Sequence, residues 1–182
     1  MTTPRVLARP TSGRVAIAGV VGFAIALAAA SQVAIPLPGT PVPLTLQPML
    51  VVLAGLWLGP RLAAASMVLY LAAGALGLPV FTPFGLPGAA RLLGPTGGYL
   101  LAYPAAAMLT GVLAARLAGY PGRLVASLAG MAVLYVGGLA QLMLLTGSAT
   151  MAVVLGVVPF ALADGVKAIL AAALSRDAAP RV

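Results

Sequence analysis

Asp164 and Lys167 are the residues in this chain best equipped for chemistry. They stand three apart in an otherwise apolar run, residues 151–174, and that spacing puts both on one helix face. A charge at the centre of a membrane helix costs about 2.5–3.5 kcal/mol on insertion scales, so both belong against a polar interior. Two readings fit. The pair neutralises itself as a structural ion pair, or it binds a ligand. In the second case Lys167 meets an anionic group and Asp164 accepts hydrogen bonds from N–H donors. Pro159 suits a first helical turn. A helix starting there sets Asp164 five residues in, about 7–8 Å deep at 1.5 Å per residue, and makes 150–158 a separate short segment. A start at Met151 would place the pair deeper.

Arg91 is the next candidate. It lies in GLPVFTPFGLPGAARLLGPTGGYL, residues 77–100, where Gly and Pro break regular structure. Freed backbone groups are tolerated at membrane depth only when buried in protein or lining a polar cavity. The segment reads either as a packed cap or as a ligand lid contributing Arg91 and the turn Gly94, Pro95, Thr96, Gly97, Gly98. Arg91 could also be a solvated loop charge. A third stretch, PLPGTPVPLTLQPML at 36–50, sets Pro43, Thr45 and Gln47 at the outer end of a short helix. Gln47 could both donate to and accept from an amide-bearing ligand, or cap backbone groups freed by Pro48. Tyr70, Tyr99, Tyr103 and Tyr135 could sit at membrane interfaces or stack on a ligand.

The elements that position these groups follow from composition. Of 182 residues, 62% are hydrophobic and 7% charged, against about 25% charged in soluble domains. A lipid bilayer is the solvent that suits such a chain. The fold expected is all-α, a polytopic membrane protein in one domain, residues 1–182. Six apolar runs long enough, or nearly so, to span occupy 15–35, 44–58, 62–78, 99–115, 124–145 and 151–174. Arg5, Arg9 and Arg14 before the first run, with Ala28, Ala29 and Ala30 near its end, imitate a cleavable leader. The length of the run favours a retained helix. With six crossings and cytoplasmic termini, Arg5, Arg9, Arg14, Arg61, Arg116, Arg123, Arg176 and Arg181 all fall inside, as the positive-inside rule requires. Asp177 joins the cytoplasmic tail. Arg91 and Lys167 are the two basic residues this orientation does not explain.

The net charge of +8 is spread singly along the chain, which argues against nucleic acid. The chain holds no Cys and no His, which excludes thiol chemistry and a His-dependent catalytic relay. Two side-chain acids are too few for a metal site. No GxxxxGK[ST] motif occurs, so no ATP-driven step is intrinsic. The expectation is a protein that is not an enzyme and needs no cofactor. Ala18, Gly22, Ala26 and Ala30, spaced by four, form a small-residue strip for close helix approach, internal or toward a partner.

PVPLTLQPMLVVLAGLWLGPR, YLAAGALGLPVF, GPTGGYLLAY and VVPFALADGVKAILAA carry a resemblance to a known family. In order and spacing they resemble the BioY proteins, biotin-specific substrate-binding components of energy-coupling-factor transporters. The resemblance covers about 41–173. It implies six helices in the inner membrane of a prokaryote and biotin capture from the outer side. It also implies binding by Asp164 and Lys167, with Lys167 on the valerate carboxylate and Asp164 on the ureido N–H groups. Some relatives place an Asn in the third loop, where this chain reads Phe84, Gly85, Leu86, Pro87. Gln47 and Arg91 are the candidates to complete ureido recognition. The site expected is Asp164, Lys167, Arg91, Gln47, Thr45, Gly94, Thr96, Gly97 and Tyr99. Implied partners are a transmembrane coupling protein, met by the strip at Ala18, Gly22 and Ala26, and an ATPase pair. Some members are thought to work without them, and homo-oligomers are possible. A component for another small anionic vitamin, a lipid-modifying enzyme and a purely structural bundle are the alternatives.

Overall fold

The computed structural model describes residues 13–175. Arg5, Arg9, Arg176, Asp177 and Arg181 lie outside the described residues. The chain is an all-α polytopic membrane protein, with one two-residue ladder among the described residues. Helix α1 is Gly13–Gln32. Strands β1 (Ala34–Ile35) and β2 (Leu44–Thr45) pair antiparallel, Ala34 opposite Thr45. Then come α2 (Gln47–Leu58), α3 (Pro60–Ala75), a 3-10 helix at Gly88–Leu93, α4 (Gly97–Arg116), α5 (Gly119–Thr146), α6 (Ala149–Gly156) and α7 (Ala161–Leu174).

Six apolar helices were expected, the second of them short, and the described helices include fewer full-length spans than that. Only α1, α4 and α5 are long and apolar enough to cross a membrane, and α6 with α7 makes a fourth crossing if the bent pair is one span. Helices α2 and α3 have 12 and 16 residues, short of the roughly 20 that a bilayer core needs. The reason is local. Gly59, at φ 76°, stops α2, and Pro60 starts α3 with a ring already set for a helix. The final apolar run is also broken. Its two helices meet at 54°, and α6 is the separate segment that the sequence suggested. Pro159 sits in the turn between them, two residues before α7 rather than at its first position.

Packing sorts the ends of the bundle. Gly19 of α1 abuts Leu58 of α2, Gly111 of α4 abuts the Gly59–Pro60 turn, and the Arg123 Nε of α5 donates to Ala172 O of α7 at 3.2 Å. Arg14, Arg61, Arg116 and Arg123 therefore gather at one end. The loops gather at the other. There Ser31 Oγ donates to Val80 O at 2.6 Å and Gln32 Nε2 to Phe81 O at 3.1 Å, tying the long loop to the end of α1. The polar residues near the end of the first apolar run thus become tethers.

The basic-end half of the core is built from small residues. A methyl on Gly55 would strike Ala107 O and the Thr110 side chain, and one on Gly130 would strike Thr110 Oγ1. Helices α2, α4 and α5 touch almost backbone to backbone at this level. The α4–α5 seam repeats the device at the loop end, where a Cβ on Gly98 would run into Gly137 O. No rotamer relieves a clash with backbone. Gly98→Val is expected to lower stability by about 1–3 kcal/mol, the range for overpacking, read as a lower melting temperature of the purified chain.

The strip expected on α1 does not pack into the bundle along its first half. Ala18 and Gly22 are exposed, Ala26 and Ala30 half-buried, and a Cβ on Gly22 would meet nothing within 4 Å.

Candidate functional site

Helix α7 begins at Ala161, so Asp164 lies in its first turn and Lys167 one turn further on, both on its buried face. Lys167 Nζ donates to Asp164 Oδ1 at 2.7 Å, and their side chains are only 8% and 10% exposed. From α5, the Tyr135 hydroxyl donates to Asp164 Oδ2 at 2.7 Å. The ion-pair reading of the sequence is therefore met, yet the cluster keeps capacity. An ammonium has three donors and a carboxylate about four acceptor sites. One donor of Lys167 and one acceptor site on each Asp164 oxygen are engaged within the protein.

The cluster faces a cleft that is open on one side. Leu100, Met131, Leu134 and Phe160 supply apolar wall, and Tyr70, Tyr99, Tyr103 and Tyr135 supply rings. Tyr70 stacks on Tyr103 with centroids 6.2 Å apart and meets Phe81 edge-on at 5.5 Å. Gln47, the first residue of α2, is 3% exposed. Its Nε2 donates to the Tyr70 hydroxyl at 2.8 Å. It does not cap groups freed by Pro48; the amide oxygen remains available at the cleft. Thr45 and Thr96 also line the cleft, and Thr45 Oγ1 accepts from Gln47 N at 3.3 Å.

Arg91 is not a solvated loop charge. The 3-10 helix buries it to 6% exposure. Its Nη2 donates to Thr82 O, while its Nε is buried with no hydrogen-bond partner among the described residues. Burial pulls its guanidinium below the ordinary arginine pKa. Gly85, at φ 99°, lets the loop backbone lie against the guanidinium, where any Cβ would press on Nη1.

The structure brings together Asp164, Lys167, Arg91, Gln47, Thr45, Thr96 and Tyr99 on one cleft. Gly94 lines only a second, outer chamber. Gly97 lines neither cavity; its missing Cβ lets α4 start against Leu92 O. Tyr99 has a structural task besides lining the cleft. Its hydroxyl donates to Gly156 O at 2.6 Å, satisfying a carbonyl freed where α6 breaks from α7. Thr40 Oγ1 does the same for Leu155 O at 2.7 Å. Sequence reasoning did not single out Tyr135 as the partner of Asp164. The two are 29 residues apart, and only the α5–α7 packing joins them.

A cleft sunk among buried helix faces, covered by loops at one end of the bundle and closed at the other, defines a membrane-embedded receptor for a small solute. The BioY family profile matches residues 5–182, and this chain belongs to the BioY family. It is 45% identical over 128 residues to the probable biotin transporter BioY of Pyrococcus horikoshii, covering 70% of this chain and 75% of that protein. It is 36% identical over 141 residues to the biotin transporter BioY of Thermotoga maritima, covering 78% and 83%. Its fold is similar to the crystal structure of an S-component for biotin from an ECF-type ABC transporter. The TM-score is 0.83 at 27% identity, over 92% of this chain and 94% of that one.

Proposed function

We propose that this chain is the biotin-binding component of an uptake system, and that it seats biotin between Asp164–Lys167 at the inner end of the cleft and Arg91 at the outer end. The observation that carries this is the layout of the cleft: polar groups at two ends, apolar and aromatic wall between. Biotin has the matching form, with a ureido ring, an apolar thiophane and alkyl middle, and a carboxylate. The resemblance had divided Asp164 and Lys167 between the two ends of biotin. They stand 2.7 Å apart, which favours both serving one end. In this seating Asp164 accepts from ureido N–H, Lys167 donates to ureido oxygen, and Arg91 takes the carboxylate. Gln47 and Tyr70 face the ring system. A carboxylate and a guanidinium make strong charge-assisted hydrogen bonds, and Arg91 has a buried donor without a partner to give.

The chain then works as one unit with six crossings, cytoplasmic termini and its loop end outward, in the cytoplasmic membrane of a prokaryote. The end bearing Arg14, Arg61, Arg116 and Arg123 faces in, in keeping with the positive-inside rule. Energy comes from a transmembrane coupling protein and ATPase subunits, with Ala18, Gly22 and Ala26 as the packing face. The exposure of Ala18 and Gly22 supports that use. Isothermal titration of the purified chain with biotin, and with unrelated anionic vitamins, tests the ligand. Tight, selective biotin binding is the expected result. Selective binding of another vitamin would move the reading to that ligand, and no binding of any would sink it.

A further inference from the structure

A second chamber of about 280 Å³ lies beyond the cleft, between the loop before α2 and the loop before α4. The two share Pro43, Arg91 and Thr96 as common wall, while Asp164 and Lys167 line the inner one alone. In the proposed seating the biotin carboxylate stops at Arg91 and leaves the outer chamber empty. That chamber is walled by Pro36, Pro41, Phe84, Leu86 and Pro95, and Arg91 is its one charged lining residue among the described residues. Its rim at Pro36, Pro41, Phe84 and Leu86 is exposed, so a chain passing Arg91 has somewhere to go.

We propose that the outer chamber accepts substituents joined to the biotin carboxyl, so that this protein also captures biotin amides of primary amines, including biotinyl-lysine. The inference rests on the biotin reading and on the seating with the ureido ring innermost. An amide keeps a carbonyl oxygen where the carboxylate was. Arg91 can donate to it from the same position, since Nε has no protein partner. A neutral acceptor gives a weaker bond than an ionised one by about 1–1.5 kcal/mol, which is about tenfold in affinity. The extension past the amide then packs on proline and leucine rather than meeting a closed wall.

The test is titration of the purified full chain with biotin and with biotinyl-lysine, in wild type, Leu86→Trp and Pro41→Trp. Both substitutions fill the outer chamber from opposite loops at exposed positions. Expected are biotinyl-lysine binding about tenfold weaker than biotin in wild type, and a further loss of about tenfold for biotinyl-lysine alone in the filled variants. Tight biotin binding with no biotinyl-lysine binding would overturn the inference and leave the biotin reading standing. Binding of neither by wild type would overturn both. Retained biotin binding in either variant shows that it folds. If such a variant holds biotinyl-lysine as well as wild type does, the extension lies elsewhere and the inference fails. If both variants lose biotin too, the chamber is not separable from the cleft, which also defeats it.

Discussion

Purified Lys167→Met is expected to lose biotin affinity by about 30-fold to several thousandfold, because truncating one member of a buried charge pair costs about 2–5 kcal/mol. Two effects add. The ligand loses its ammonium donor, and Asp164 is left buried with Tyr135 as its remaining side-chain partner. Asp164→Asn should behave likewise, stranding Lys167. Both single variants should also melt at lower temperature than wild type, for the same stranded charge. Asp164→Leu combined with Lys167→Met separates the effects. Apolar replacement of a buried pair is often neutral or stabilising, so the double variant should recover thermal stability and still bind no biotin. Wild-type affinity in the double variant would make the pair purely structural.

Arg91→Met should weaken biotin binding by about 10- to 150-fold, the worth of a hydrogen bond to a charged group at about 1.5–3 kcal/mol. The informative measurement is a cycle with biotin methyl ester. Wild type should prefer the free acid. Arg91→Met should bind acid and ester nearly alike, because the partner of the charge is gone. An unchanged preference for the acid would place the carboxylate elsewhere. Loss of the Arg91–Thr82 tether would lower both affinities together and cannot imitate a lost preference.

Much of this was legible in the sequence, for physical reasons. A chain that is 62% hydrophobic and 7% charged has no water-facing surface to fold with. Asp164 and Lys167 stood out because charges are costly among apolar residues, and their mutual contact follows from helical spacing alone. The break before α7 was signalled by Pro159. The partners of these groups were not legible. Tyr135 and Thr40 each act across 29 or more residues, and no local pattern encodes such contacts. The role of Arg91 stayed open because burial of a loop residue depends on how the loop folds back. Gly97 looked like part of a ligand turn, yet its need for glycine comes from Leu92 O behind it. Lengths were partly legible: the second run read as short and ends where α2 ends, while the pairing of Leu44 and Thr45 into a strand, which trims its start, was not foreseen.

The contacts of Gly55 with Ala107 and of Gly130 with Thr110 also bear on leakage. With α2, α4 and α5 this close, the seam they share beneath the cleft offers no room for a file of water molecules. Loading and unloading the cleft from its loop side therefore opens no aqueous route along that seam for protons or sodium. The seam thus acts as an electrical seal beneath the ligand, one that any side chain larger than hydrogen at Gly55 or Gly130 would pry open.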